Sequence, residues 1–447
     1  MTETQPKTID TLVRARWIIP VEPAGVVLEH HALALDAGRI VDLLPAREAA
    51  ERYRAAQEVT LATHALIPGL VNAHTHAAMN LFKGMADDMP LMSWLKERVW
   101  PAESRWVSEA FVLDGTLLAA AEMLQGGVTC FNDMYFYPEE AARAATGCGM
   151  RAVVGLIVLD FPTVWARDAD EYLAKATEVH DRLRDDPLVR TAFAPHAPYS
   201  VADAALARVR TLADELDIPV HMHVHETARE VRDAVRATGE RPLSRLDRLG
   251  LLTPRLAAVH MTQLEPAEIE RVAKCGVSVV HCPESNLKLA SGLCPVAALA
   301  RAGVNLAIGT DGAASNNDLD VLGELRTGSL LAKGVSGDAG AVPAAAALTM
   351  ATLGGARALG LEAECGSLTP GKAADVVAID LSGPDTQPVH SALSQVVYSV
   401  GRHLVSDVWV AGQPVLRDGR LLHAERAELA ERAERWRRRI AGETARD

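Results

Sequence analysis

From residue 66 to residue 309 the chain repeats one pattern: a short apolar run, a polar or glycine-bearing turn, then a longer stretch with apolar residues at helical spacing. The apolar runs are 66–73, 128–134, 151–159, 189–194, 218–225, 256–260, 277–281 and 304–309. Between them, 108–125, 138–147, 168–184, 203–216, 245–251, 266–275 and 295–302 read as helices, and 319–333 and 341–359 follow the last run as two more. Gly126-Gly127 closes the first helix and Gly147 the second, as glycine does at helix ends. Eight short strands alternating with helices predict an α/β fold, a parallel (β/α)8 TIM-like barrel. A doubly wound open sheet would ask for a Gly-x-Gly-x-x-Gly turn after a strand, and none follows these runs.

The flanks have a different texture. Residues 11–19 are β-rich, 33–41 read as a hairpin about 36–38, and 46–57 read as a short polar helix. Beyond Gly366, a turn at 371–375 leads into a strand at 376–380. Residues 396–400 and 406–410 read as short strands, 410–416 as a hairpin and 425–440 as a charged helix. The two ends are therefore expected to pair into a small β-sandwich domain of residues 1–63 plus 367–447, with 64–366 as the barrel. Residues 77–109, rich in Met, Trp and Asp, interrupt the alternation after the first strand.

Composition narrows the partners. With 447 residues, 49% hydrophobic and 23% charged, the chain has the make-up of an ordinary globular protein large enough for such a barrel and an added domain. A formal net charge of −13 speaks against nucleic acid or an anionic membrane as partner. The six cysteines are scattered with no Cys-x-x-Cys, which suits a reducing compartment. Residues 1–10 carry no apolar leader and no apolar run is long enough to span a bilayer, so the expected location is the cytoplasm.

In a parallel barrel the chemistry gathers at the C-terminal ends of the strands. Here the first run ends in His74-Thr75-His76, the fourth is followed by His196, and the fifth holds His221, His223 and His225 before Glu226. His260 ends the sixth, His281 the seventh, and Asp311 follows the eighth. In an extended strand, residues two apart face the same side, so His74 and His76 can aim at one point. Neutral imidazoles are good transition-metal ligands. His221, His223 and His225 share a face too, but three rings would crowd one ion; one is expected to bind, and the spacing leaves open which.

These strand ends resemble the mononuclear deaminase branch of the amidohydrolase superfamily. The resemblance rests on Pro68-Gly69-Leu70-Val71-Asn72-Ala73-His74-Thr75-His76, His223 to Glu226, His260, His281-Cys282-Pro283-Glu284-Ser285-Asn286 and Thr310-Asp311-Gly312. Residues 80–101, Pro195-His196-Ala197-Pro198-Tyr199-Ser200 and 285–292 are similar to those of the 5-methylthioadenosine/S-adenosylhomocysteine deaminases, and the likeness spans essentially the whole chain. It implies that His223, three residues before Glu226, is the ligand of the triplet, so that the metal set is His74, His76, His223 and Asp311. Three imidazoles and a carboxylate suit one Zn2+ per chain, and Fe2+ or Mn2+ match the same ligand types. His221 and His225 then read as core residues. His196 stands where binuclear relatives carry a bridging lysine.

The implied reaction replaces the 6-amino group of an adenine nucleoside by oxygen, the ion lowering the pKa of a bound water. Asp311 and His281 orient the water and take its proton, and His260 contacts the attacked centre. Glu226 protonates ring N1 and then helps protonate the leaving ammonia. Glu103 matches the family residue that takes the ribose hydroxyls, His196 matches a nucleoside contact, and Trp94 offers an apolar wall near the 5′ substituent. A homodimer or higher homo-oligomer is the family's implication. Family members that accept S-adenosylhomocysteine use arginines after the third strand. Here Leu156 stands where the first would be, and residues 160–170 offer only Arg167, among Asp160, Asp168 and Asp170. Leu156, Ile157, Phe161, Pro162, Val164 and Trp165 are apolar, so 5′-methylthioadenosine is expected to be preferred, adenosine weaker and S-adenosylhomocysteine poor. A guanine-type deaminase or triazine hydrolase on the same scaffold is the alternative. The intact ligand set speaks against a barrel without catalysis.

Overall fold

A computed structural model describes residues 6–442. Eight strands pair in parallel in chain order: Leu70–Thr75, Val128–Asp133, Arg151–Val158, Val189–Pro195, Val220–Val224, Leu256–His260, Ser278–His281 and Leu306–Ile308. Apart from Arg190, every residue in them is buried. A strand covered by helices outside and side chains inside has no wet face, which is why these segments read as unbroken apolar runs rather than alternating ones. The ring draws together between its last and first strands, where the Asp311 amide donates to the His74 carbonyl at 3.0 Å. The helix Leu353–Ala358 packs against the same two strands. Gly354 makes that possible, since a Cβ there would stand 2.2 Å from the carbonyl oxygen of Leu306.

The chain ends build the second sheet together, in the order Arg420–Leu421, Gln413–Arg417, Val405–Val410, Val376–Asp380, Tyr53–Pro68, Lys7–Ile18, Leu28–Asp36 and Arg39–Pro45. Its far edge folds back: the Ile40 amide donates to the Lys372 carbonyl at 2.9 Å, and the Gly371 amide to the Ile40 carbonyl at 2.8 Å. Strand Tyr53–Pro68 runs past Gly69 directly into the first barrel strand, so the sheet is anchored at the ring. A buried ion pair reinforces this, Nε of Arg151 lying 3.1 Å from Oδ2 of Asp375.

Several local expectations change in the fold. The helix expected at 46–57 stops at Arg52, and Tyr53 opens a strand of 16 residues. The polar first half of that strand is stabilised by parallel pairing with Lys7–Ile18, a partner no local pattern reveals. Residues 396–400 lie mostly in the helix Ala392–Tyr398, and the stretch 341–359 breaks into Ala344–Met350 and Leu353–Ala358. Helix Ala228–Thr238 was not foreseen, because only Val231 in it is buried. The excursion after the first strand becomes short helical turns, Ala77–Phe82, Leu91–Trp94, Leu95–Val99 and Trp100–Trp106. Glu122 of helix Glu109–Gln125 ties it down, receiving Lys83 at 2.6 Å and Asn80 at 3.2 Å. Among the described residues no helix is long and apolar enough to cross a membrane, and all six cysteines are free thiols.

Candidate active site

Nε2 of His76 lies 3.2 Å, and Nε2 of His74 3.3 Å, from Oδ1 of Asp311. Nε2 of His223 is 3.2 Å from Nε2 of His74, and one donor atom from each of these residues lies within 4.8 Å of the others. The far ring nitrogens are occupied. Nδ1 of His76 donates to the Met134 carbonyl at 2.6 Å, and Nδ1 of His223 to the His196 carbonyl at 2.7 Å. Nδ1 of His74 faces Nε2 of His221 at 2.8 Å. A neutral imidazole that donates through Nδ1 presents a lone pair at Nε2. Lone pairs and a carboxylate oxygen therefore converge on one point, and imidazole with carboxylate suits Zn2+. Burial works against charge on His76, yet Asp311 beside it lifts the ring to about 9, so the potential at this point favours a cation.

The carboxylate is braced as well. Oδ2 of Asp311 accepts the Ser285 hydroxyl at 2.6 Å, and Oδ1 accepts the Gly312 amide at 2.8 Å. His225, His260 and Asp311 have φ of 53°, 73° and 60°. The left-handed region is uncommon for residues other than glycine and recurs at functional turns. Here it follows strand five, ends strand six and follows strand eight. Glu226 is buried, accepts the Ser291 hydroxyl at 3.2 Å and lies 3.9 Å from Nε2 of His260. Burial, and the Asp311 charge after it, push its carboxyl up, toward the protonated form. His260 donates through Nδ1 to Oδ1 of Asn286 at 2.8 Å. His281 is buried, held neutral with its pKa at about 3 by that burial, and neither of its nitrogens has a hydrogen-bond partner among the described residues.

A cavity of about 310 Å3 opens over this floor. His76, His223, His260, Asp311 and Glu226 line its base, while His74 and His281 do not line it. His196, Glu103 and Trp94 form its sides. Burial pushes Glu103 up to about 7, and the neighbouring Tyr135 hydroxyl pulls it partly back. That hydroxyl is buried and has no hydrogen-bond partner within ordinary distance among the described residues. The outer wall is apolar: Leu95, Val99, Trp100, Ile157, Leu159, Phe161 and Val164 line it, and no lysine or arginine does among the described residues.

Two expectations about this wall need correction. Strand alternation turns Ile157 to the cavity and Leu156 to the core. Trp165 packs instead against Tyr137, with Nζ of Lys175 4.8 Å from its ring centre. Arg167 is not held by the aspartates around it. Its Nε bonds Glu171 at 2.8 Å, four residues on, and its side chain is 84% exposed. Asp168 caps the following helix and Asp170 pairs with Arg208. The sequence singles out the run 285–292 without dividing its labour. The structure gives Ser285 to Asp311, Asn286 to His260 and Ser291 to Glu226. Tyr135 and the Met134 carbonyl carry no sequence signal at all.

Comparison with known proteins agrees with this geometry. Residues 65–415 match the amidohydrolase family. A protein of Teredinibacter turnerae named 5-methylthioadenosine/S-adenosylhomocysteine deaminase is 48% identical, over 98% of this chain and 99% of its own. One of the same name from Saccharophagus degradans is 46% identical over 98% of each. The crystal structure of an adenosine deaminase from Xanthomonas campestris with bound zinc is 56% identical and superposes with a TM-score of 0.97, covering 98% of this chain and all of that one (100%). Atrazine chlorohydrolase from Arthrobacter aurescens, also with zinc, shares the fold (TM-score 0.89, 95% of this chain and 99% of that one) at 22% identity. The chain belongs to the amidohydrolase family and, within it, to the group of the 5-methylthioadenosine/S-adenosylhomocysteine deaminases.

Proposed function

We propose that the chain is a metal-dependent adenine-nucleoside deaminase that prefers 5′-methylthioadenosine, takes adenosine less well and S-adenosylhomocysteine poorly. The observation that carries this reading is the make-up of one cavity. A cation-binding type of cluster and a protonation-prone glutamate sit at its base, a carboxyl on its side, and apolar surface outward, with no lysine or arginine on the described wall.

A divalent ion held by His74, His76, His223 and Asp311 would supply Lewis-acid activation of water. Glu226, pushed toward its protonated form by burial and aimed by Ser291, gives its proton to ring N1, which lets attack at C6 proceed without negative charge on the ring. Asp311, steadied by Ser285, takes the first proton of the attacking water and, with Glu226 relaying, returns it to the departing amino group, while the proton of the hydroxyl left on C6 restores Glu226 as the C6–N bond breaks. His260, its Nδ1 committed to Asn286, presents Nε2 toward Glu226 and the attacked centre. His281, whose ring nitrogens have no partner among the described residues, shares in orienting the water.

Glu103 accepts the two ribose hydroxyls, a pairing a carboxylate makes well. His196, also on the cavity wall, contacts the nucleoside, and Trp94 adds to the apolar wall. A methylthio group gains roughly 0.8 kcal/mol per methylene-sized piece buried there. The 5′-hydroxyl of adenosine gains less, because it loses hydrogen bonds to water against an apolar surface. The amino-acid tail of S-adenosylhomocysteine needs a partner for its carboxylate, and Arg167 is turned away and engaged with Glu171.

Ammonia release from the three nucleosides, guanine and a chlorotriazine tests the whole reading. The expected order of kcat/KM is 5′-methylthioadenosine, adenosine, S-adenosylhomocysteine, with the last two compounds inert. Equal or better efficiency with S-adenosylhomocysteine would show that a basic group reaches the outer wall. Turnover of guanine or triazine alone would overturn the nucleoside assignment.

A further inference from the structure

Each of the three histidines in the cluster is held from its far nitrogen. For two, the hold is a main-chain carbonyl, that of Met134 for His76 and that of His196 for His223. The third hold is a side chain. Nδ1 of His74 lies 2.8 Å from Nε2 of His221, with the ring planes at 73°. His221 and His223 are two apart on one strand and face the same side. His74 spans them, its Nε2 3.2 Å from His223 and its Nδ1 against His221. The His74 and His221 rings are both buried.

Only one of the two facing nitrogens, Nδ1 of His74 or Nε2 of His221, can carry the hydrogen of this contact. A hydrogen on Nε2 of His74 would point into the cluster and spoil the lone pair there. An acceptor at Nε2 of His221 draws the hydrogen to Nδ1 of His74 and leaves that lone pair free. A carbonyl can only accept, whereas an imidazole can play either part. His221 therefore accepts only while its own hydrogen sits on Nδ1, an atom that is buried without a hydrogen-bond partner among the described residues. An unmade bond to a buried donor costs stability. A residue present for packing alone would avoid that cost by being apolar, as its strand neighbours Val220, Met222 and Val224 are.

We propose that His221 is a positioning residue for the metal site: it fixes the tautomer and ring plane of His74 and so sets how long a divalent cation is retained. The proposal rests on the metal-site reading above and adds to it a residue that is no ligand. Outer partners of ligating histidines typically govern metal affinity by about 10- to 100-fold.

The test compares the Zn2+-loaded parent enzyme with His221→Gln, His221→Leu and His221→Val. It follows metal release into excess chelator and the unfolding midpoint of each metal-free form. Gln offers a side-chain carbonyl that can accept the same hydrogen, so it should release metal at close to the parent rate. Leu and Val should release it about 10- to 100-fold faster, while their metal-free midpoints equal or exceed the parent's. An apolar variant that folds and keeps its metal as long as the parent overturns the proposal, as does a Gln variant that releases metal as fast as Leu. Failure of both apolar variants to fold without metal overturns it too, since His221 would then serve the core. A parent that retains no divalent ion removes the metal-site reading and the proposal together, a result distinct from the others.

Discussion

A Cβ on Gly309 would stand 2.8 Å from Cβ of His74 and 2.9 Å from its amide nitrogen. The last barrel strand thus runs into the first at His74 of the histidine–aspartate cluster, and the missing side chain lets the two backbones meet. Gly309→Ala must push them apart, because both nearest atoms belong to rigid strand. Overpacking of this kind costs about 1–3 kcal/mol, and here the displaced group belongs to the proposed metal cluster. The expected outcome is a lower unfolding midpoint together with less than one bound metal per chain, read by elemental analysis of the purified variant. A variant with full metal content would show that the barrel can open at this seam without moving His74.

Glu226 is not one of the four cluster residues and is fixed by Ser291 and its own burial. Glu226→Gln is expected to keep its metal and lose turnover by on the order of a hundredfold or more, the usual contribution of a positioned proton donor. Metal content near one per chain in parent and variant, with kcat alone falling, is the predicted result. Deamination at the parent rate would assign the proton shuttle elsewhere.

Glu103 should impose a pH dependence on substrate capture. Its carboxyl is pushed up to about 7 by burial, so the folded protein favours the protonated form. For stability the sign is negative with rising pH: the folded state holds a proton that the unfolded chain gives up near pH 4.5, and that advantage is lost by about pH 7. For substrate the sign reverses, because gripping two ribose hydroxyls needs the carboxylate. In the parent, kcat/KM for 5′-methylthioadenosine should fall about tenfold per pH unit below the Glu103 pKa. Glu103→Gln should be slower throughout and lose that limb of the profile. An unchanged limb would point to another group.

Arg151 and Asp375 join the third barrel strand to the sheet built from the chain ends, both nearly fully buried. Removing one partner strands the other charge. Arg151→Met is expected to cost about 3–5 kcal/mol, seen as a lower denaturation midpoint. Asp375 would keep only main-chain company on its side chain, the Ala411 amide at 2.8 Å. Adding Asp375→Asn should recover part of the loss. If the double variant is no better than the single one, the stranded charge is not the cause.

The alternating apolar runs were sufficient to predict the barrel, because a strand buried on both faces has one requirement, to be apolar, and meets it locally. The amidohydrolase signature at the strand ends likewise pointed to His74, His76, His223 and Asp311, with Glu226 nearby, since each stands beside a readable turn or strand, and the donor atoms of those four converge in the fold. Tertiary structure alone decided what depends on partners far away in sequence. The polar strand Tyr53–Pro68 exists because Lys7–Ile18 pairs with it, and the apolar stretch 396–400 lies mostly in a helix because its apolar face packs against the helices Ala344–Met350 and Val321–Ser336. Whether Leu156 or Ile157 faces the cavity was a matter of strand phase, and whether Arg167 reached substrate or Glu171 was a matter of where the next helix began. His221 makes the same point at the active site: nothing in its local sequence distinguishes it from a core histidine, and only the crossing of two strands 147 residues apart puts it against His74.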